Sequence, residues 1–306
     1  MSLTSFDQLI ARLKGQKAPK RVAVVAADDK HTLEALILAQ REGVVTPVLI
    51  GDASAIAAYL EELDFSVKDA YIVAAQSHEE AAHRAIEMIH VGEADFIMKG
   101  RLDTAALMKV IVSKESDLRT GRIMSHLAFV EMSSYHKLLA VSDVALNTTP
   151  DFAQKKQIIE NAVLALHKMG IGEPKIAVMA AAEDVNPKLV ESVDAFELKK
   201  LNAAGELTGC IVEGPISYDL AVDKEAAAVK GYHSPVAGDA DLMVVPTIAA
   251  GNLMIKALVY SGGAKTAGFV VGAKVPVVLT SRSATTEDKY MSIVLAASAC
   301  QEGKHE

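Results

Sequence analysis

Short apolar runs alternate along this chain with longer segments whose apolar residues recur at helical spacing. The first such pair is the run at residues 21–27, followed by a helix at 33–42 that Gly43 ends. Further strands are predicted at residues 46–50, 71–74, 95–98, 175–181, 209–212, 242–245 and 275–280, and further helices at 53–63, 79–90, 104–114, 152–169 and 286–300. The alternation indicates the α/β class, with a buried and mostly parallel sheet.

Two neighbouring apolar runs depart from this alternation. Residues 127–132 and 138–146 follow one another without a helix between them, which predicts an antiparallel pair at a sheet edge. The polar residues 147–151 then form a turn that opens the long helix predicted at 152–169. We place the first domain boundary at this turn.

Charge and cysteine content exclude several classes of protein. Lys and Arg number 31 against 39 Asp and Glu, and the net charge of −8 repels polyanions. Aromatic residues make up only 5% of the chain, without Trp, so few side chains could stack on bases and no nucleic-acid partner is expected. Cys210 and Cys300 lie far apart in the sequence, which excludes a disulfide framework and a Cys-rich zinc site.

The sequence also predicts a soluble protein of the cytoplasm. Its first residues carry charges instead of the apolar block of a signal peptide. The uncharged stretch at 242–255 is too short for a membrane span and contains Pro246 and Gly251. No membrane partner is therefore expected.

Three familiar motifs fail on spacing or composition. His78 and His83 are five residues apart, where a zinc-binding H-E-x-x-H helix requires four, so no metal is predicted and both should face solvent. Residues 263–268 have the outline of a phosphate loop but lack the Lys-Ser/Thr that should follow, which favours a loop between a helix and a strand. The absence of G-x-G-x-x-G after the first strand and of G-x-S-x-G anywhere argues against a Rossmann dinucleotide site and an α/β-hydrolase.

Cations follow two of the predicted strands directly, at the sheet edge where ligands of parallel sheets bind. Lys99 and Arg101 flank Gly100 just before a helix whose free N–H groups favour anions. The same stretch is equally consistent with a solvated basic turn. Ser281 and Arg282 follow the strand at 275–280, where a hydroxyl and a guanidinium can bind phosphate or polarise a carbonyl oxygen.

Asp288 lies in the first turn of the helix after Arg282. With Thr285 it matches the S/T-x-x-D/E capping pattern, and on this pattern alone a purely structural helix cap is favoured. A carboxylate that returns over a Ser-Arg pair could also serve as a general base. Both interpretations stay open at the level of the sequence.

Two further loops carry candidate ligand-binding residues. Arg119 and Arg122 lie in a Gly-containing loop ahead of Ser125-His126. The alternative interpretation of this segment is a charged loop in which His126 has a structural role. Gly251 and Asn252 lead into a helix that bears Lys256. The alternative is that Gly251 permits close packing and Asn252 satisfies backbone groups.

Three segments of the chain form specific motifs: 213–219 (EGPISYD), 241–246 (DLMVVP) with 250–252 (AGN), and 276–282 (PVVLTSR) with Asp288. In these segments most specifically, and across nearly its whole length, the chain resembles the phosphate acetyl/butyryltransferase family. The RTG loop at 119–121, with Ser125-His126, and the Thr-Ser-Arg form at 280–282 resemble the butyryl branch more than the acetyl branch. Leu220 stands where the family commonly has Asn, which argues against ligand contact at that turn.

The resemblance implies reversible transfer of an acyl group, in which butyryl-CoA and phosphate give butyryl phosphate and CoA. Coenzyme A and phosphate are then substrates, and no cofactor or metal is implied. It also implies a fold similar to isocitrate and isopropylmalate dehydrogenases, with two α/β domains, mostly parallel sheets, a cleft between the domains and a homodimer. In that fold the end of the chain returns to the first domain. We therefore expect residues 1–146 plus 272–306 in the first domain and 147–271 in the second.

The resemblance also assigns roles to residues. Asp288 matches the proposed base that deprotonates the CoA thiol, Ser281 the residue that hydrogen-bonds the reacting group, and Arg282 the phosphate-binding arginine. The thiolate would attack the acyl carbonyl directly in a ternary complex. Further expected phosphate- and CoA-binding residues are Lys99, Gly100, Arg101, Thr104, Arg119, Arg122, Gly251, Asn252 and Lys256.

Three alternative functions stay open. A phosphate acetyltransferase belongs to the same family and acts on acetyl-CoA. A metal- and NAD-dependent hydroxyacid dehydrogenase shares the fold, although the sequence lacks clustered Asp residues at helical spacing that would bind the metal. A catalytically silent CoA-binding or regulatory protein is the third.

Overall fold

The computed structural model describes residues 3–16, 18–281 and 284–300. Its α-helices are α1 (Phe6–Lys14), α2 (Lys30–Arg41), α3 (Ala53–Glu62), α4 (His78–His90), α5 (Thr104–Ile111), α6 (Phe152–Lys168), α7 (Val190–Ala203), α8 (Tyr218–Val222), α9 (Lys224–Val229), α10 (Ile248–Tyr260) and α11 (Thr286–Ser298). Its strands are β1 (Lys20–Val25), β2 (Val45–Gly51), β3 (Tyr71–Ala74), β4 (Phe96–Lys99), β5 (Ser125–Glu131), β6 (Leu139–Ser142), β7 (Lys175–Met179), β8 (Ile211–Ile216), β9 (Leu242–Val244), β10 (Lys265–Val271) and β11 (Val277–Val278). Helices and strands alternate over most of the chain, which confirms the α/β class.

One compact unit, the first unit, combines Phe6–Arg122 with Ala267–Glu306. Its strands follow the order β3-β2-β1-β4-β11-β10. Neighbours from β3 to β11 pair in parallel, and β10 pairs antiparallel with β11. The carboxyl ends of β1, β4 and β11 therefore lie along one edge of the sheet.

A second compact unit combines Met1–Ser5 with Ile123–Thr266. Here β5 pairs antiparallel with β6, as the sequence predicted. The expected position at a sheet edge is wrong for β6, because its other side pairs in parallel with β9 and its four residues are all buried. Next to β9 the order continues through β7 to β8, again in parallel. The domain boundaries expected after residues 146 and 271 stay a prediction.

Local chemistry explains where other elements differ from expectation. The strand predicted at 275–280 shrinks to Val277–Val278, since Pro276 has no N–H to donate and contributes only its carbonyl, which accepts from the Ile97 N–H. The loop expected over 263–268 ends early, because Lys265 already begins β10 and its buried run from Ala267 to Val271 favours a strand. The sequence prediction missed strand β10 and four helices: α1, α7, α8 and α9.

Capping side chains fix where the helices of the first unit begin. Asp29, Asp52, Ser77, Asp103 and Thr285 each accept a hydrogen bond from a backbone N–H in the first turn of the helix that they precede. Each of these helices follows a strand, so its N-terminus lies near the sheet edge that holds the carboxyl ends of the strands. Within the described residues, no helix is both long and apolar enough to cross a membrane.

Candidate active site

A cavity of about 600 Å³ lies at the carboxyl ends of β1, β4 and β11 in the first unit. This is the edge of a parallel sheet at which ligands bind. Its described lining comprises Asp29, His78, Lys99, Gly100, Arg101, Leu102, Asp103, Ser281 and Lys289. Four residues that the sequence predicted, Lys99, Gly100, Arg101 and Ser281, thus meet in one cavity.

Gly100 permits a backbone contact that no larger residue would allow. A Cβ atom at this position would lie 2.1 Å from the carbonyl oxygen of Ala26, well inside van der Waals contact. The Gly100 N–H donates to the Val25 carbonyl at 2.8 Å, and the Arg101 N–H donates to the Ala26 carbonyl at 2.7 Å. These bonds attach the residues after β4 to the end of β1 and fix the backbone that carries both cations.

Lys99 is a buried cation, with 4% of its surface exposed. Its ammonium donates to the carbonyl oxygens of Gly100 at 3.3 Å and Leu102 at 3.2 Å. Arg101, two residues later, is exposed. Lys99 is therefore fixed in the cavity wall, whereas Arg101 is accessible to solvent. A wholly solvated basic turn would expose both side chains.

Lys289 and Asp29 are lining residues that the sequence analysis missed. The buried Lys289 ammonium lies 2.8 Å from Asp29 Oδ2 and donates to Thr32 Oγ1 at 2.9 Å. Burial acts to raise the pKa of Asp29, but hydrogen bonds from Lys289 and Thr32 outweigh it and hold that pKa below its ordinary value. Lys289 precedes the largely apolar part of the C-terminal helix, and this position could have indicated a buried lysine with an acidic partner.

Asp288 forms the capping box that the sequence pattern indicated. Its Oδ2 accepts from the Thr285 N–H at 3.0 Å, and its own N–H donates to Thr285 Oγ1 at 3.1 Å. Oδ1 accepts no hydrogen bond from the described residues. The structural interpretation of Asp288 is therefore confirmed, and its role as a base stays a prediction.

The other candidates from the first unit have different positions relative to this cavity. Ser281 lies in the cavity wall, whereas Arg282 lies outside the described residues. Thr104 is the exposed first residue of α5, and Arg119 forms an isolated bridge with Ala273. Arg122 is half-buried, and its N–H donates to Thr120 Oγ1 at 3.4 Å.

Gly251, Asn252 and Lys256 belong to α10 in the second unit. A Cβ at Gly251 would lie 2.8 Å from Val245 Cγ2 and 3.0 Å from Val144 Cγ1, so this glycine permits close packing. Asn252 Nδ2 donates to the Val144 carbonyl at 3.5 Å, and Lys256 is exposed. The alternative interpretation given above is therefore confirmed in part: Gly251 permits close packing, and Asn252 donates to a backbone carbonyl.

The 213–219 motif forms a polar network of the second unit. Ser217 Oγ donates to Asp219 Oδ1 at 2.6 Å, and the Lys230 ammonium lies 3.0 Å from Asp219 Oδ2. These hydrogen bonds, from Ser217 first and Lys230 second, lower the pKa of Asp219 to about 2. Leu220 is buried in the core, so contacts within the protein occupy this turn.

His126 has a buried Nδ1 atom without a hydrogen-bond partner in the described part of the chain. Burial lowers the pKa of His126, although the nearby Asp143 carboxylate acts in the opposite direction. Asp143 itself accepts from the backbone N–H groups of Ala145 and Leu146 at 2.8 and 3.0 Å. Nowhere in the described residues do three or more His, Cys, Asp or Glu side chains form a group that could hold a metal ion.

Sequence comparisons relate the chain to acyltransferases over almost its full length. The family model "Phosphate acetyl/butaryl transferase" matches residues 73–297. Phosphate butyryltransferase of Clostridium acetobutylicum is 40% identical over 295 residues, which cover 96% of this chain and 98% of that protein. Phosphate acetyltransferase of Thermotoga maritima is 42% identical over 292 residues, which cover 95% and 98%.

Solved structures support the same relationship. A branched-chain phosphotransacylase from Enterococcus faecalis V583 is 35% identical, with a TM-score of 0.81, and the match covers 92% of this chain and 98% of that one. A 4-hydroxythreonine-4-phosphate dehydrogenase from Burkholderia phymatum, 14% identical with a TM-score of 0.59 over 94% of this chain and 100% of that one, shares the fold alone. From the family match and these full-length relatives, the chain belongs to the phosphate acetyl/butyryl transferase family.

Proposed function

We propose that this phosphate acyltransferase acts on butyryl-CoA and phosphate and forms butyryl phosphate and CoA by direct, reversible transfer. The observation that carries the proposal is the meeting of Lys99, Arg101, Ser281 and Lys289 around one cavity at the ligand-binding edge of the sheet. Membership of the family supplies the reaction class. In a chain with a net charge of −8, cations gathered in this cavity favour an anionic substrate.

Phosphate is the anion that these cations fit. Asp29 offsets the charge of Lys289, and Asp103 also lines the cavity. The cations of the described lining, Lys99, Arg101 and Lys289, still outnumber these two carboxylates, which favours a phosphate group. Arg282 directly follows Ser281, and in the proposed mechanism its guanidinium binds two phosphate oxygens in fork geometry. Charge that develops on the departing phosphate is stabilised by the same groups.

The proposed base is the carboxylate of Asp288. A free thiol has a pKa of about 8.5 and is mostly protonated at neutral pH, so a base raises the fraction of thiolate. In the direction of acyl-CoA synthesis, Asp288 takes the thiol proton and the thiolate attacks the carbonyl carbon of the acyl phosphate. The bond from that carbon to the phosphate oxygen breaks, and Ser281 hydrogen-bonds the reacting group.

Acetyl-CoA is the second candidate substrate, because the acetyltransferase of Thermotoga maritima is as similar to this chain as the butyryltransferase of Clostridium acetobutylicum. One or two methylene groups change the transition-state free energy by only about 1–3 kcal/mol in an apolar pocket. Turnover of both substrates is therefore part of the proposal.

The arrangement of the whole enzyme is also proposed. The domain division at residues 146/147 and 271/272, with an isocitrate dehydrogenase-like cleft between the domains, is supported by the family resemblance. The same resemblance supports a homodimer, and a cytoplasmic location is part of the proposal.

Release of thiol from acyl-CoA tests the proposed function. Wild-type protein is incubated with phosphate and either butyryl-CoA or acetyl-CoA, while a thiol reagent traps the free CoA. We expect phosphate-dependent release that Arg282→Ala abolishes, with the faster rate on butyryl-CoA. Release no greater than that of Arg282→Ala contradicts the proposal, and a faster rate on acetyl-CoA assigns the enzyme to the acetyl branch.

A further inference from the structure

Lys289 is a buried cation in the wall of the candidate active site, and the mechanism above assigns it no step. The residue is 6% exposed and is the fourth residue of α11. Its partner Asp29 caps the N-terminus of α2, and both residues line the cavity. The ion pair between them therefore lies in the cavity wall.

A triangle of polar contacts fixes the direction of the Lys289 ammonium. The ammonium lies 2.8 Å from Asp29 Oδ2 and donates to Thr32 Oγ1 at 2.9 Å. Thr32 in turn donates to Asp29 Oδ2 through its hydroxyl and, at 3.0 Å, through its backbone N–H. An ammonium has three N–H donors, and these contacts use two of them. The third has no acceptor within residues 3–16, 18–281 and 284–300.

A structural role alone does not account for this arrangement. Two charges lose solvation when they are buried, and this cost commonly cancels their attraction, so a buried ion pair adds little stability over apolar residues of similar size. A buried donor without an acceptor adds a further cost. Because the pair borders a cavity, an oxygen atom of a bound substrate can satisfy the third N–H of Lys289.

The charge of Asp29 determines which substrate oxygen suits this donor. Lys289 and Asp29 together have no net charge. Among the other described lining residues, the cations Lys99 and Arg101 outnumber the carboxylate of Asp103, so phosphate is attracted mainly to those two cations. A carbonyl oxygen is neutral in the acyl substrate and becomes negative only when the thiolate attacks. A fixed N–H donor at that oxygen therefore binds the transition state more strongly than the substrate.

We infer that the Lys289 ammonium donates its third N–H to the carbonyl oxygen of the acyl group and stabilises the negative charge that develops there during transfer. The inference deepens the proposed function and rests on it for the identity of the substrates. As the thiolate sulfur bonds to the carbonyl carbon, the π electron pair moves to the oxygen that Lys289 contacts. The pair then re-forms the carbonyl, while the bond from carbon to phosphate oxygen breaks and phosphate leaves with the bonding electrons. Lys289 keeps its proton throughout, and Asp29 and Thr32 are positioning residues.

The double variant Asp29→Asn/Lys289→Met tests the inference without leaving a buried charge unpaired. Asn serves as well as Asp at the N-terminus of a helix, so α2 keeps its cap. We expect kcat on butyryl-CoA and acetyl-CoA to fall by about 10²–10³, the effect of removing one donor to a developing oxyanion. KM for phosphate should change by no more than about threefold, because the lost contact forms in the transition state.

The matched control is the double variant Lys155→Met/Asp194→Asn. The Lys155 ammonium lies 2.6 Å from Asp194 Oδ2, and Lys155 is 5% exposed, so this pair is buried like that of Lys289. It joins α6 to α7 and is not part of the described lining of the cavity. Its kcat should stay within about threefold of wild type, and its thermal midpoint should shift by a similar amount to that of the test variant.

Three results would overturn the inference. Equal kcat values for the two double variants, whether both are high or both are low, would show that Lys289 acts only as half of a buried ion pair. A higher KM for phosphate at unchanged kcat would show that Lys289 binds phosphate instead. A higher KM for both acyl-CoA substrates at unchanged kcat would place its contact in the bound substrate and not in the transition state. Wild-type protein that releases no thiol contradicts the proposed function as well, whereas wild-type turnover combined with any of these three results contradicts the inference alone.

Discussion

At the scale of single residues, Asp288 has an observed structural role, and a catalytic role is proposed for it. Its Oδ2 atom completes a capping box with Thr285, and Oδ1 has no partner in the described residues. A helix cap and a general base can therefore be the same carboxylate. Substitutions that keep the cap and remove the base separate the two roles.

We expect Asp288→Asn to retain the cap, because the amide oxygen can still accept from the Thr285 N–H. An amide cannot take the thiol proton, so kcat should fall by about 10²–10⁴ while the thermal midpoint stays near that of wild type. Asp288→Ala should lose the cap as well, at a cost of about 1 kcal/mol. Steady-state rates and urea unfolding measure the two effects, and full activity of Asp288→Asn would leave the residue a helix cap only.

Gly100 provides a prediction about stability. A methyl group there would lie 2.1 Å from the Ala26 carbonyl oxygen, so Gly100→Ala should lower the free energy of unfolding by about 1–3 kcal/mol or more. Gly172→Ala is the control, because nothing lies within 4 Å of its Cβ position and its φ is not in the left-handed region. Equal urea midpoints for the two variants would show that the backbone after β4 can move away from β1.

At the scale of elements, polar contacts join α11 to α2 and to the two residues that flank α2. Lys289 pairs with Asp29, Thr286 Oγ1 donates to Glu34 at 2.8 Å, and the Tyr290 hydroxyl donates to Glu42 at 2.5 Å. Residues of the two helices are about 250 positions apart in sequence. No local pattern could have predicted these partners, because only the folded sheet brings residues so far apart in sequence into contact.

The Asp29–Lys289 pair should make stability depend on acidity. Because the pKa of Asp29 in the folded protein is lowered from its ordinary value of 3.8, its contribution is complete above that value and is lost as pH falls through the lower folded pKa. The difference in thermal midpoint between wild type and Asp29→Asn should therefore be constant from pH 7 to about pH 5 and shrink below pH 4. Asp52→Asn is the matched control, because Asp52 caps α3 and forms no ion pair among the described residues. An acid profile for Asp52→Asn identical to that of Asp29→Asn would contradict this account.

Element types were predictable where the periodicity was strong, as in α4, β1 and the β5–β6 pair. The positions of Lys99, Arg101 and Ser281 in one cavity followed from a general property of parallel sheets, and the resemblance to the family is confirmed by the comparisons. The missed strand β10 begins two residues after Gly263. The glycines at 263 and 268 favoured a loop over these residues, although the run up to Val271 is buried. The interior position of β6 could not be predicted from the sequence, because its second neighbour, β9, lies about 100 residues later in the chain.

At the scale of the whole molecule, each unit carries one buried cysteine, Cys210 in the second and Cys300 in the first. Burial, with a smaller contribution from Glu173, raises the pKa of the Cys210 thiol to about 11. We expect neither thiol to react rapidly with a thiol reagent at neutral pH, and both to react in denaturant. Mass spectrometry of the labelled peptides assigns each signal to its unit, and rapid labelling of Cys210 in the native protein would contradict its burial.

The first unit is built from two separated parts of the chain, and this has a consequence for the timing of its biosynthesis. Asp29, Lys99 and Arg101 leave the ribosome early, but Ser281 and Lys289 follow only after residues 123–266, which take on the order of 7 to 30 s at roughly 5–20 residues per second. During that interval β1 and β4 have no β11 beside them, and Asp29 caps its helix without its ammonium partner. The nascent chain therefore completes the candidate substrate cavity last, so an incomplete polypeptide released before that point lacks part of the cavity wall.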